Sequence, residues 1–182
     1  MLRPLYLLLF KIFGWKINGK LPDGYPKYIL AVAPHTSNWD FPVGLATRSI
    51  LRIKNAQFLG KSQLFKPPIG WFFRMLGGHP VDRSSSHDMV DQVVKIFAKH
   101  DKFILAMAPE GTRKRVAKLR TGFYFIAKGA HVPIVPVGFN FGKREIDIGQ
   151  PLIPGDNLEL DMETLLAFYR TIEGKNPELG LD

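Results

Sequence analysis

His35 and Asp40 stand five positions apart in Ala33-Pro34-His35-Thr36-Ser37-Asn38-Trp39-Asp40, the stretch of this chain whose residue types best suit chemistry. An imidazole and a carboxylate at that spacing reach one another across a tight turn. The carboxylate then fixes the tautomer and raises the basicity of the other ring nitrogen, which is how a general base is built. Taken alone, His-x4-Asp reads more readily as a capping aspartate beside an unrelated surface histidine, because the spacing is common. The stretch follows Tyr28-Ile29-Leu30-Ala31-Val32, an apolar run suited to a buried strand. It precedes Phe41-Pro42-Val43-Gly44-Leu45-Ala46, a helix opening with Asn38 or Asp40 as its expected cap. Both residues therefore fall on the turn leaving a strand's carboxyl end, where open α/β sheets place ligands.

Further charged clusters follow other strand candidates. Lys61 ends Ala56-Gln57-Phe58-Leu59-Gly60, Arg83 lies beyond the Gly77-Gly78 pair, and Glu110-Gly111-Thr112-Arg113 follows the buried run Phe103 to Met107. Right-handed winding gathers such loops on one edge. There, arginines recognise phosphate in a planar, bidentate way and glycine lets backbone amides approach it. Singly, each cluster also reads as ordinary surface charge.

The elements that must position these groups alternate. Strands are expected at 28–33, 56–60, 103–107, 132–139 and 144–148, with helices near 40–52, 69–76, 87–100, 121–130 and 159–173. Ser85 and Asp88 form a capping box for the third of these helices. Pro133 and Pro136 argue for an edge or loop-like course at 132–139, with 144–148 pairing beside it. The whole is an α/β single domain, a mixed and mostly parallel sheet flanked by helices.

The 182 residues suit one core without staples, and the lack of cysteine excludes disulfides, thiolate metal sites and a thiol nucleophile. Net charge is +9, but residues 145–182 carry nine acids against two bases, leaving a strongly basic body at 1–144. That body implies anionic partners: a lipid surface, phosphorylated substrates or nucleic acid, the last without a recognisable binding motif. Pro4 to Trp15 is too short to span a bilayer, which takes about twenty residues, and has no signal-peptide cleavage site. Its leucines and aromatics among Arg3, Lys11, Lys16 and Lys20 suit an amphipathic helix in the membrane interface, or else one packed on the core. Residues 1–20 are read as this helix and its exit, and 21–182 as the catalytic domain.

Taken in order, His35-x4-Asp40, Gly60-Lys61-Ser62-Gln63-Leu64 through Pro68 and Gly70, Gly77 to Asp82-Arg83, Pro109-Glu110-Gly111-Thr112-Arg113 and Val132-Pro133-Ile134-Val135-Pro136-Val137 resemble the four-block pattern of the glycerolipid acyltransferases, the lysophosphatidate acyltransferase family. The resemblance spans roughly residues 30–140. It implies that His35 is the general base and Asp40 its orienting partner. Lys61, Arg83, Glu110, Gly111, Thr112 and Arg113 would line the acceptor's phosphate or headgroup site, and 132–137 would shape the acyl-donor side. It implies no metal and no cofactor, with acyl-coenzyme A or acyl carrier protein as co-substrate. The acceptor would be a lysophospholipid such as 1-acyl-glycerol-3-phosphate, met at the cytoplasmic face of the cell membrane by a peripheral protein.

Four departures accompany the resemblance: Pro34 before His35, His79-Pro80 before Asp82-Arg83, Lys114 after Arg113, and Leu119-Arg120-Thr121-Gly122. They bear on the acceptor more than on the chemistry. The alternatives are the same fold acylating an amino-lipid, pigment or polyol, a hydrolase using water, and a non-catalytic anionic-lipid-binding protein.

Overall fold

The computed structural model describes residues 2–81 and 86–181. Seven strands form one sheet in the order β1-β7-β6-β2-β5-β3-β4. They are β1 (Lys16–Asn18), β2 (Lys27–Val32), β3 (Ala56–Lys61), β4 (Gly78–Val81), β5 (Phe103–Met107), β6 (Ile134–Asn140) and β7 (Glu145–Ile148). Pairing is parallel throughout except between β6 and β7, so the sheet is mixed and mostly parallel.

Six helices cover it: α1 (Arg3–Ile12), α2 (Asp40–Ile50), α3 (Gly70–Met75), α4 (Ser86–Ala98), α5 (Gly122–Ala130) and α6 (Leu158–Tyr169). Period-2 alternation divides the central strands between two cores. Ile29, Ala31, Phe103 and Leu105 pack with α4, α5 and α6. Tyr28, Leu30, Ile104 and Val135 face the other way, onto Phe10 of α1 and Ala46 of α2. Both faces of β2 and β5 are thus buried, which explains their unbroken apolar runs.

The proline-bearing strand is not at an edge. β6 lies between β2 and β7, and every residue in it is buried. The Ile134 N–H and C=O both exchange bonds with Leu152, so Pro136, two residues on, presents its nitrogen to that same side. There the β7 ladder has already ended at Ile148, opposite Val137. The missing donor falls in a gap, and no ladder bond is lost. Further along β6, Gly138 gives room for Ile172, whose side chain lies 2.5 Å from where a Cβ would stand.

β1 and β4 were not expected as strands. β1 is three residues long and pairs only with β7. β4 reads Gly-His-Pro-Val, and its edge position tolerates Pro80. His79 bonds the Gln57 side chain on β3. The capping box expected of Ser85 and Asp88 lies outside the residues whose side chains are described.

Candidate active site

From β2 the chain crosses through α2 to β3 on one side, whereas from β5 it crosses through α5 to β6 on the other. The connections leave the carboxyl ends of β2 and β5 towards opposite faces, the switch point at which open α/β sheets form their ligand crevice. His35 lies three residues past β2 and Glu110 three past β5. The topology alone makes them neighbours.

Within the crevice, His35 Nδ1 lies 2.8 Å from Asp40 Oδ2, and the same oxygen accepts the Ser37 N–H at 3.0 Å. Asp40 is buried and sits in the first turn of α2, but it does not cap the helix. Its carboxylate turns back into the preceding loop, so the capping reading of Asp40 is corrected. Asp40 Oδ1 is buried without a partner among the described residues. His35 is part-exposed, and its Nε2 has no partner among the described residues. A carboxylate on Nδ1–H and a reachable Nε2 are the two requirements of a histidine base.

Glu110, expected among the substrate-lining residues, is buried and turned towards the loop. Its carboxyl accepts the His35 backbone N–H at 2.9 and 3.1 Å. Burial pushes its pKa up to about 7, opposed by the His35 hydrogen bond and charge and helped by Asp40. Native Glu110 therefore holds its proton between about pH 4.5 and 7, where the unfolded chain has released it. Its contribution to stability falls as pH rises through that window, by up to about 1.4 kcal/mol per pH unit. Denaturant titration of wild type and Glu110→Gln across pH 4.5–7.5 checks this: the stability difference should move against wild type as pH rises. A pH-independent difference would contradict it.

Gly111 takes a left-handed φ of +66°, and a Cβ there would meet the Arg120 side chain at 3.0 Å. Thr112 Oγ1 accepts the Lys114 N–H, and Arg113 is exposed. Lys61 is exposed at the end of β3, paired with Val81 at the end of β4. Two strand spacings, about 10 Å, separate β3 from β2, so Lys61 flanks the crevice rather than touching the pair. Arg83 lies outside the described residues.

Three supports were not foreseen. Tyr169, at the end of α6, donates its hydroxyl to Ala31 O at 2.7 Å, and burial, with Glu110 nearby, raises its pKa well above the ordinary value. Asn176 donates its backbone N–H to Thr36 Oγ1 and its side-chain amide to Thr36 O, at 3.1 and 2.9 Å. These contacts join positions about 140 residues apart, which no local pattern signals. Helix α6 stops at Tyr169, short of the expected 173, and the chain beyond it returns over the His35 loop.

A histidine–carboxylate pair lies at the switch point of an open α/β sheet, on the loop that follows β2 and beside the loop that follows β5. The chain belongs to the Acyltransferase family, whose profile matches residues 19–140. It is 36% identical over 148 residues to a 1-acyl-sn-glycerol-3-phosphate acyltransferase of Streptococcus pneumoniae (strain ATCC BAA-255 / R6), covering 76% of this chain and 52% of that protein. A Saccharomyces cerevisiae (strain ATCC 204508 / S288c) protein of the same name is 33% identical over 84 residues, 42% of this chain and 28% of its own. The chain spans about half the length of the first relative and less of the second. In fold it resembles the crystal structure of the 1-acyl-sn-glycerophosphate acyltransferase of Thermotoga maritima, with a TM-score of 0.64 at 18% identity over 96% of this chain and 78% of that one. Tyr169 and Asn176 lie beyond the stretch matched by the family profile.

Proposed function

We propose that this protein transfers a fatty acyl group from a thioester, acyl-coenzyme A or acyl carrier protein, to the free hydroxyl of a lysophospholipid, 1-acyl-glycerol-3-phosphate above all. The observation that carries the reading is the 2.8 Å contact of His35 Nδ1 with buried Asp40 at the switch point. Nε2 of His35 removes the hydroxyl proton as the acceptor oxygen attacks the thioester carbonyl. The tetrahedral intermediate collapses, the C–S bond breaks, and the imidazolium returns its proton to the departing sulfur. Asp40 stabilises the imidazolium while it exists, and Glu110 holds the loop that carries it. A thioester is already activated, so a base, orientation and charge stabilisation suffice.

Acceptor choice is tested by measuring thiol release from acyl-coenzyme A with lysophosphatidate, a neutral monoacylglycerol, an amino-lipid and a polyol. Lysophosphatidate should be preferred. Arg113→Ala should raise KM for lysophosphatidate about ten- to a hundred-fold, as expected for a charge-assisted contact of roughly 1.5–3 kcal/mol. KM for the donor should change less, and the same test applies to Arg83. An equal loss with the neutral acceptor would show that these arginines do not read the phosphate.

The setting proposed is a membrane surface. No described helix is long and apolar enough to cross a bilayer. In α1, Tyr6 and Phe10 pack on the core while Leu5, Leu8 and Ile12 are exposed, which leaves an apolar stripe that can meet lipid. Replacing Leu5, Leu8 and Ile12 with serine leaves the core stripe in place and should lower sedimentation with anionic vesicles at least ten-fold, at about 25 cal/mol per Å² of apolar area. Unchanged sedimentation would remove α1 from the membrane contact.

A further inference from the structure

The apolar surface of this molecule is concentrated on one side. Among the described residues sixteen large hydrophobics are exposed, and twelve belong to or adjoin α1, α2 and α3. Six flank or form α1. The others are Trp39, Leu64, Ile69, Trp71, Phe72 and Met75, so α3 with its approach is a second concentration. Within it Trp71 is 66% exposed and Met75 64%.

α3 covers the same sheet face as α1 and α2. Phe58 follows Ala56 by two along β3 and so shares its face, which packs with α1 and α2. Phe58 meets Phe41 of α2 edge-on, and Gly78, beside it, lies close to the Phe73 carbonyl of α3. At its other end α3 is tied to α2, where Arg48 donates to Leu76 O.

Charge follows the same division. From residue 41 to 81 the chain has no Asp or Glu and carries Arg48, Arg52, Lys54, Lys61, Lys66 and Arg74. Lys61, Lys66 and Arg74 are exposed around the apolar residues of α3. The guanidinium of Arg74 lies over the Phe65 ring, beside an open cleft of about 380 Å³ between Pro67, Pro68 and Trp71. Acids collect on the opposite layer, where α6 carries Glu159, Asp161 and Glu163.

We propose that α3 is a second membrane-seating element, in which Trp71, Met75 and Ile69 enter the apolar boundary of an anionic phospholipid bilayer while Lys61, Lys66 and Arg74 meet its headgroups. This rests on the reading of the protein as a membrane-surface enzyme and extends it from one contact to two. Tryptophan suits the boundary because its ring is apolar and its N–H polar. A flat partner accounts for exposed apolar side chains on two separate helices of one face, with bases around both. A small acidic protein would cover only one of them. Seating both helices also sets the height and tilt of the β2–β5 crevice over the lipid, which a single helix leaves free to swing.

The test uses the whole chain and vesicles of phosphatidylglycerol with phosphatidylcholine. Trp71→Glu/Met75→Glu, with α1 intact, should lower vesicle partition at least ten-fold and slow turnover on membrane-embedded lysophosphatidate. Turnover on a soluble short-chain pair should persist. In a Trp15→Phe/Trp39→Phe background, which leaves α3 untouched, brominated phospholipids should quench Trp71 fluorescence. Wild-type partition in the double variant, or Trp71 unquenched in vesicle-bound protein, overturns the proposal even if the α1 serine variant is released, an outcome that leaves the single-contact reading standing. Loss of rate confined to an acyl carrier protein donor, with partition unchanged, also overturns it and assigns the patch to that protein.

Discussion

His35→Ala should reduce turnover with acyl-coenzyme A and lysophosphatidate by about 10²–10⁴-fold, the usual worth of a positioned general base. Among the described residues no other group beside Asp40 replaces it. Glu110 is engaged with the His35 backbone and Asp40 is buried behind the ring, so neither carboxylate reaches an acceptor hydroxyl. The fold should survive, because His35 lies on a loop and the sheet beneath it is untouched. Removing the ring does leave Asp40 Oδ2 with only the Ser37 N–H, and Oδ1 already lacks a partner, so stability should fall by about 1–3 kcal/mol. His35→Gln separates the two effects. It can return a donor to Asp40 and recover stability, yet it supplies no base and should stay as inactive as alanine. Activity restored by glutamine would mean that His35 acts through position and not through its proton.

Asp40→Asn is expected to cost at least about 100-fold in kcat while changing the geometry little. The amide oxygen can keep both bonds now made by Oδ2, and the amide nitrogen would occupy the place of unpartnered Oδ1. What disappears is the negative charge that stabilises the imidazolium as it forms. The signature is a fall in kcat with KM nearly constant, since the residue does not face the substrate pocket directly. A large rise in KM with kcat preserved would show that Asp40 shapes substrate binding instead of serving the base.

The parts of this molecule legible in its sequence are those governed by local pattern. Tyr28 to Val32 and Phe103 to Met107 are apolar because both faces of a central parallel strand are covered, and that leaves a mark within five residues. The order of strand, histidine turn and helix follows from the same logic. Other features are decided by neighbours far away in the chain. Lys16–Asn18 becomes a strand only because β7 lies alongside, and Gly78–Val81 only because β3 offers an edge. Pro136 is tolerated inside the sheet because β7 ends one pair earlier, which a proline count alone could not reveal. Glu110 stands out in the sequence as a charge just past a buried strand. That it faces the His35 backbone depends on β5 lying next to β2, a consequence of strand order and not of its own surroundings. Asn176 and Tyr169 carried no signal at all, for amide and phenol groups in a C-terminal segment have many possible partners.

The role proposed for His35, driving acyl transfer to a lipid hydroxyl, is tested most directly in a single reaction. Thiol release and diacylated product should be measured together, in one reaction of acyl-coenzyme A with lysophosphatidate, for wild type and His35→Ala side by side. Wild type should give equal amounts of free thiol and phosphatidate, with thiol release dependent on the acceptor, and the alanine variant should give near-background values for both. Thiol release that proceeds without acceptor, or phosphatidate formed by His35→Ala at the wild-type rate, would contradict that role.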